Sequence, residues 1–386
     1  MGAGRGADPA RPLALLLPDL GCGGAERVAV NLANAYRARG FEVDLVLMSC
    51  QGPLLNRLDP GVHLVDLGAQ RIRQVLVPLI AYLRRRRPAA LLACMWPLSL
   101  IGIWAGFLSG AGTRVVVAEH TTWSTSPLLE NPLRRLAFRL SMRFTLPRAS
   151  GAVTVSRGAA DDLASLAGVA PQLIETIYNP VAVAVPAALP DAVLPRGWWE
   201  GKHRRLLAVG TLTDIKDYPT LLRALLRVRE RCDARLLVLG EGECRGLLEA
   251  LTAEFGLSGA VFWHGQVPDP APFYLRAELH VLSSRGEGLP TVIIEALQAG
   301  TPVVSTDCPC GPREILCDGR FGRLVPVGDP EALAEAILAA LSERHDPAPL
   351  RARAADFGID QAAERYLELL LPEYASSPSP SGRGQG

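Results

Sequence analysis

Two doubly wound, Rossmann-like α/β domains facing a cleft are what this sequence predicts. Short apolar runs alternate with amphipathic helical stretches, the rhythm breaks once near the middle, and Gly-rich loops follow strands in both halves. Such alternation means a parallel sheet wrapped by helices. Ligands of such sheets sit in the crevice at the carboxyl ends of the strands. At 386 residues, 49% apolar and 20% charged, the chain has the length for two domains and the composition of a soluble globular protein.

Leu13–Leu17 reads as a buried strand, followed by a loop, Pro18–Gly24, that contains Gly21, Gly23 and Gly24. Val28, Leu32, Ala35 and Tyr36 then recur at helical spacing until Gly40. Strands are expected at Glu42–Met48 and His63–Leu67, and a helix through Ile72, Val75, Leu79 and Leu83 that ends in Arg84–Arg87 before Pro88. Further strands are expected near Leu91, at Val115–Ala118 and at Ala152–Val155, with helical segments between them. The proline-rich stretch Pro180–Lys202 has no clear period and reads as a linker. Alternation then restarts with strand Leu206–Val209, helix Pro219–Arg231, strand Arg235–Leu239 and a helix from about Cys244. Strands Val261–Trp263 and Leu279–Leu282, a helix from near Pro290 and strand Pro302–Ser305 complete the second half.

Residues 1–185 are therefore expected to form the first domain and 186–358 the second, with 373–386 as a tail that is disordered by composition from Ser376. Ala89–Leu108 is almost continuously apolar, but Pro97 interrupts it and a strand follows at once. A buried strand and helix are expected there, not a membrane span. Met1–Arg11 lacks the apolar segment of a signal peptide. The eight cysteines are scattered without a zinc-ligand spacing, so free thiols in a reducing cytoplasm are expected.

Net charge is only +1 but unevenly spread. Residues 1–185 carry 19 arginines and no lysine against 12 acids, a charge of +7 that leaves −6 for the remainder. Such a half suits an anionic partner, a phosphate-bearing lipid or membrane surface, or else is a solvated rim. No nucleic-acid partner is expected.

Two glutamates carry the functional reading. Glu287 lies in the loop Ser283-Ser284-Arg285-Gly286-Glu287-Gly288-Leu289-Pro290, and Glu295 lies eight positions on, inside the helix that follows. A proline is well tolerated at a first helical position, and a loop-to-helix junction offers free amides and a partial positive charge to phosphate. Ionised carboxylates on either side accept hydroxyl donors. Phosphate between hydroxyl-binding acids describes a nucleotide sugar. No Gly-x-Gly-x-x-Gly follows the first strand, which argues against a dinucleotide dehydrogenase.

The order of motifs resembles the large retaining glycosyltransferase family of the GT-B fold called family 4. Gly23-Gly24-Ala25-Glu26-Arg27 is similar to its first glycine loop, and Val209-Gly210-Thr211-Leu212-Thr213-Asp214-Ile215-Lys216-Asp217 to its "V-G-R-L-x-x-x-K-G/D" segment. Gly240-Glu241-Gly242, His264-Gly265-Gln266-Val267, the Glu287 loop and Glu295-Ala296-Leu297-Gln298-Ala299-Gly300 follow in family order. The resemblance covers roughly residues 12–372 and implies the following roles. Lys216, one of two lysines in the chain, meets the donor diphosphate as a compact cation. Glu287 meets the hexose hydroxyls and Glu295 the ribose. Amides of Gly288, Leu289, Pro290 and Thr291 flank phosphate, with Pro290 contributing only its place in the chain. Gly265, Gln266 and Val267 lie beside the base through backbone groups. Gly23 and Gly24 leave room for the diphosphate, and Gly210 and Thr211 are among the residues that bind the donor. His120, at the end of a strand, orients a donor hydroxyl. The last helix, about 359–372, returns to the first domain. Thr211 departs from the family, which usually has arginine there.

The resemblance thus implies a retaining transferase that moves a sugar from a nucleotide-diphosphate donor, UDP-sugar favoured, to a saccharide or lipid-linked saccharide. No Asp-x-Asp lies in a suitable loop, so neither cofactor nor obligatory metal is expected. Thr306–Ile315 leans toward bacterial surface-polysaccharide enzymes. The basic segments Arg84–Arg87 and Arg134–Arg148 suit docking on anionic lipid at the cytoplasmic face of a membrane. A non-catalytic nucleotide-sugar-binding partner protein and a nucleotide-sugar epimerase are the alternatives.

Overall fold

The computed structural model describes residues 11–21, 23–181, 194–267 and 269–375. The expected disordered tail from Ser376, the leader reading of Met1–Arg11 up to its last residue and most of the expected linker lie outside these. The chain divides into two compact units, one of residues up to Pro180 together with those from Ile359, the other Val181–Gly358.

The first unit holds seven strands: β1 Leu13–Leu17, β2 Val43–Leu47, β3 His63–Asp66, β4 Ala90–Cys94, β5 Arg114–Glu119, β6 Gly151–Thr154 and β7 Ile174–Thr176. All pair in parallel, in the order β3-β2-β1-β4-β5-β6-β7. β1 shows why the sheet is covered on both faces. Leu13, Leu15 and Leu17 enter one core with helix Gly24–Ala38, while Ala14 and Leu16 enter another with helices Leu76–Arg86 and Leu98–Ser109. Each fully buried leucine contributes about 1.5–3 kcal/mol through loss of apolar surface to water.

The final helix, Ile359–Leu370, belongs to this unit. Its Ala363, Tyr366, Leu367 and Leu370 join the core of β1. Arg114 Nε donates to the Leu369 carbonyl at 2.6 Å, and Arg365 pairs with Glu175 at 2.7 Å.

The second unit holds β8 Arg204–Val209, β9 Ala234–Leu239, β10 Val261–Gly265, β11 Leu279–Leu282, β12 Val303–Thr306 and β13 Arg323–Val325. These are also all parallel, in the order β10-β9-β8-β11-β12-β13. Strand order reverses beside β8 and β11, so their carboxyl ends open onto a topological switch point.

Several sequence expectations shift. β7 and β13, three residues each, are too short to stand out as apolar runs. The helix expected from Ile72 begins at Leu76, after a 3-10 turn at Ile72–Gln74. The described end of the expected linker is not a linker: helix Arg196–Trp199 buries Trp198 completely, and its indole N–H donates to the Leu206 carbonyl at 3.0 Å. Pro290 stands as the N-cap of helix Thr291–Ala299 rather than as its first residue. The apolar stretch at 89–108 divides into β4 and helix Leu98–Ser109, and among the described residues no helix is long and apolar enough to cross a membrane.

The arginine run at the end of helix Leu76–Arg86 is partly internal wiring. Arg86 forms a two-pronged bond to the buried Asp44, at 2.9 and 2.8 Å, which also accepts from the Tyr82 hydroxyl. A buried carboxylate needs such a partner. Arg84 donates to the carbonyls of Leu108 and Ser109. The seven cysteines among the described residues are free thiols.

Candidate functional site

Most of the expected site residues lie at the carboxyl ends of strands in the second unit, around its switch point. The loop after β8 carries Gly210, Thr211 and Lys216, and the loop after β11 carries Glu287, Gly288 and Leu289. Lys216 Nζ stands 2.6 Å from Glu287 Oε1, with the two side chains only 20% and 10% exposed. Residues 71 positions apart in sequence therefore meet at the switch point of this sheet.

The main chain fixes that meeting. Arg285 N donates to the Ile215 carbonyl at 2.8 Å, and Ser283 Oγ donates to the Lys216 carbonyl at 2.8 Å. Arg285 then clamps the first loop through Asp214 at 3.1 Å and Asp217 at 3.2 Å. Asp217 adopts a left-handed conformation, φ 47°, which Gly, Asn and Asp tolerate best. Its other oxygen accepts from Thr220 Oγ1 at 2.8 Å. Ser284 Oγ donates to Glu287 Oε1 at 2.6 Å and is itself anchored where Thr306 Oγ1 meets the Ser284 carbonyl. None of these partners was assigned a role from the sequence, although Ser283, Ser284 and Arg285 stand inside the motif.

Backbones crowd closely on the other side of the β8 loop. A side chain on Gly240 would lie 1.9 Å from the Gly210 carbonyl oxygen, and one on Gly242 would lie 2.4 Å from that of Leu212. Only glycine permits that approach. Gly265, at φ 89°, closes the same cluster, since the Gly240 amide donates to its carbonyl at 2.9 Å. Gln266 and Val267 follow at the end of β10, with Gln266 exposed. Tyr218 donates its hydroxyl to the Gly210 carbonyl at 3.1 Å.

Helix Thr291–Ala299 starts directly beyond Pro290, so the amides of Thr291 and Val292 lack acceptors within the helix, while that of Ile293 donates to the Pro290 carbonyl at 3.0 Å. Glu295 sits one turn along, half-buried, and accepts from the Tyr274 hydroxyl at 3.2 Å. Tyr274 is fully buried and holds Thr301 Oγ1 on its carbonyl at 2.6 Å. Cys308 lies within the fields of Glu287 and Lys216. Burial first, then the Glu287 charge, pushes its thiol up to about 12, so it remains neutral.

Positive charge on the two loops comes from Lys216 and Arg285 alone, and Arg285 is bound to aspartates. Thr211 is exposed, with no cation in its place.

Gly23, Gly24 and His120 belong to the first unit. Gly23 caps helix Gly24–Ala38, and a side chain there would strike Glu26 Oε2 at 2.3 Å, whereas Gly24 has nothing within 4 Å. His120 follows β5, with Nδ1 3.2 Å from Asn179 Oδ1. Burial pushes its pKa down to about 4, opposed by that bond. The ring is thus neutral at pH 7, and an amide oxygen on Nδ1 fixes the proton there, leaving Nε2 as an acceptor. Glu119, buried beside it, accepts from Ser99 Oγ at 2.6 Å and the Trp96 amide at 3.1 Å. Among the described residues no group of three or more His, Cys, Asp or Glu is placed to hold a metal ion.

Comparison with known proteins bears on both units. Residues 22–185 match the family described as Glycosyltransferase Family 4, and residues 203–343 match Glycosyl transferases group 1. The chain is 27% identical over 359 residues to the N-acetylgalactosamine-N,N'-diacetylbacillosaminyl-diphospho-undecaprenol 4-alpha-N-acetylgalactosaminyltransferase of Campylobacter jejuni, covering 86% of this chain and 90% of that one. A lipopolysaccharide core biosynthesis glycosyltransferase, LpsE of Rhizobium meliloti, is 33% identical over 174 residues, 43% of this chain and 49% of its own. In fold, the chain is similar to HepE of Anabaena in complex with UDP, with a TM-score of 0.78 at 18% identity, covering 93% of this chain and 99% of that one.

Proposed function

We propose that this chain, a glycosyltransferase of the GT-B fold, moves a sugar with retention from a UDP-sugar to a saccharide or lipid-linked saccharide acceptor of surface-polysaccharide assembly. The observation that carries the reading is the meeting of Lys216 and Glu287 at the switch point of the second unit. A sugar follows a diphosphate directly in the donor. A phosphate against Lys216 therefore brings the hexose within reach of Glu287, which accepts hydroxyl donors. The helix-start amides beyond Pro290 flank the phosphate, and Glu295, steadied by Tyr274, accepts from the ribose. Gly265, Gln266 and Val267 take the base. HepE of Anabaena binds UDP, and the Campylobacter enzyme acts on a diphospho-undecaprenol acceptor by its name. The first supports a UDP-sugar donor and the second a lipid-linked acceptor.

The leaving group is a phosphate that needs no strong acid. Lys216 and the amides stabilise its growing charge, in an electrostatic role that commonly dominates catalysis. No resident metal is required. The chain is a glycosyltransferase rather than an epimerase or a non-catalytic binder. The chain works at the cytoplasmic face of a membrane.

Incubation with UDP-, GDP- and ADP-sugars, in EDTA, and NMR of the product's anomeric carbon tests the whole reading. Transfer from a UDP-sugar with the donor configuration kept is expected. Inversion, or activity restored only by Mg²⁺ or Mn²⁺, would contradict it.

His120 orients a hydroxyl through Nε2 and abstracts no proton. Its pKa lies near 4, so the residue does not titrate between pH 5.5 and 8 to any large extent. His120→Gln is expected to lower kcat about 10–100-fold while leaving the shape of the pH–rate profile unchanged from pH 6 to 8. Loss of an acid limb in the variant would instead make His120 a base. Burial pushes the neighbouring Glu119 carboxyl up to about 7.

A further inference from the structure

Helix Pro132–Thr145 has an apolar face too many. Phe138, Met142 and Thr145 pack into the first unit's core. Leu133, Leu136, Leu140 and Phe144 recur at spacings of three and four on the nearly opposite side, and they are 78%, 52%, 44% and 59% exposed. A helix on a sheet needs one buried stripe, so folding does not explain the second one.

The stripe continues onto the neighbouring helix Leu98–Ser109. Phe107, 75% exposed, stands edge-on to Trp104, and Arg148 lies over the Trp104 ring at 5.9 Å while donating to the Phe144 carbonyl. Neither helix contains an acidic residue. Arg134 on one side of the stripe and Arg139 and Arg143 on the other are exposed, and Arg143 also donates to the Gly168 carbonyl at 3.3 Å. Arginine stems cover apolar surface while the guanidinium reaches outward, a pattern that matches lipid phosphate above acyl chains.

We propose that this face is a membrane-docking surface that sinks the stripe into the acyl boundary of an anionic bilayer and sets its arginines on lipid phosphate. It deepens the lipid-linked acceptor reading and rests on that reading for its purpose, though not for its geometry. It also moves the site of lipid contact away from Arg84–Arg87, where Arg84 and Arg86 are engaged within the unit. A cavity of about 310 Å³ with a mixed lining lies at the start of the same helix, with Ser124, Thr125, Glu130 and Arg135 as polar groups and Leu129 and Leu166 as apolar ones. A headgroup-borne saccharide would therefore have polar groups beside the inserted stripe.

Flotation of the full chain with vesicles of phosphatidylcholine, with or without about one-third phosphatidylglycerol, tests the proposal at roughly 0.1 M salt, where surface charge is only partly screened. The native chain is expected to float with the anionic vesicles. Leu136→Ser with Phe144→Ser is expected to lower that partition at least tenfold, at unchanged Tm. Arg134→Gln with Arg139→Gln is expected to lower it several-fold, and less so in high salt. Native chain that stays off anionic vesicles, or a serine variant that floats as well as the native, would overturn the proposal. So would sedimentation showing a native dimer that the serine variant turns into a monomer without any vesicle binding, since a second copy would then cover the face. UDP-induced thermal stabilisation, expected to be equal in all these variants, separates failure of membrane docking from failure of the donor reading.

Discussion

Lys216→Ala is expected to lower sugar transfer by about 10²–10³-fold, the usual cost of deleting one donor that stabilises developing charge. Its side chain is the one cation on the two switch-point loops that is not bound to their aspartates. Loss of the cation should weaken UDP as well as UDP-sugar, because the diphosphate is common to both. Steady-state kinetics together with thermal shift by UDP reads both effects. Loop geometry should survive the substitution, since Ser283 Oγ and the Arg285 amide bond to carbonyls of the β8 loop whatever side chain stands at 216. A variant with normal UDP stabilisation and normal kcat would remove Lys216 from the mechanism.

Glu287→Gln is expected to separate what Lys216→Ala joins. Glu287 accepts from Ser284 and pairs with Lys216, so in the free enzyme its carboxylate competes with phosphate for the ammonium group. Neutralising it releases Lys216, and UDP should bind as tightly as before or more tightly. The hexose, however, loses a charged acceptor worth about 1.5–3 kcal/mol, so transfer should fall roughly 10–100-fold. Titration of UDP beside transfer kinetics gives both numbers. Weakened UDP binding with unimpaired transfer would put Glu287 on the diphosphate side of the donor and take it away from the hexose.

The sequence revealed the fold where elements were long. Parallel strands of five or six residues, buried on both faces, read as continuous apolar runs, as at Leu13–Leu17 and Ala234–Leu239. Ile174–Thr176 and Arg323–Val325 escaped, because three residues carry no period. The stretch before β8 looked like linker since prolines and polar residues surround it, yet one tryptophan, Trp198, suffices to bury its end. At the site, Glu287, Lys216 and the glycines were legible because each belongs to a motif in fixed order. Arg285 on Asp217, Ser284 on Glu287 and Tyr274 on Glu295 were not, since each depends on contacts that only the fold brings about. The exposed stripe of helix Pro132–Thr145 was half legible. Its arginines stood out as charge, but Leu133, Leu136, Leu140 and Phe144 look like any core stripe until burial shows which side faces inward.

Calorimetric titration of UDP into the native chain, Lys216→Ala and Glu287→Gln tests the donor pocket most directly, because it needs neither the sugar nor the acceptor. The expected result is saturable binding to the native chain, at least tenfold weaker binding to Lys216→Ala, and undiminished binding to Glu287→Gln. Equal affinity of UDP for the native chain and Lys216→Ala would contradict the placement of the diphosphate at the β8–β11 switch point.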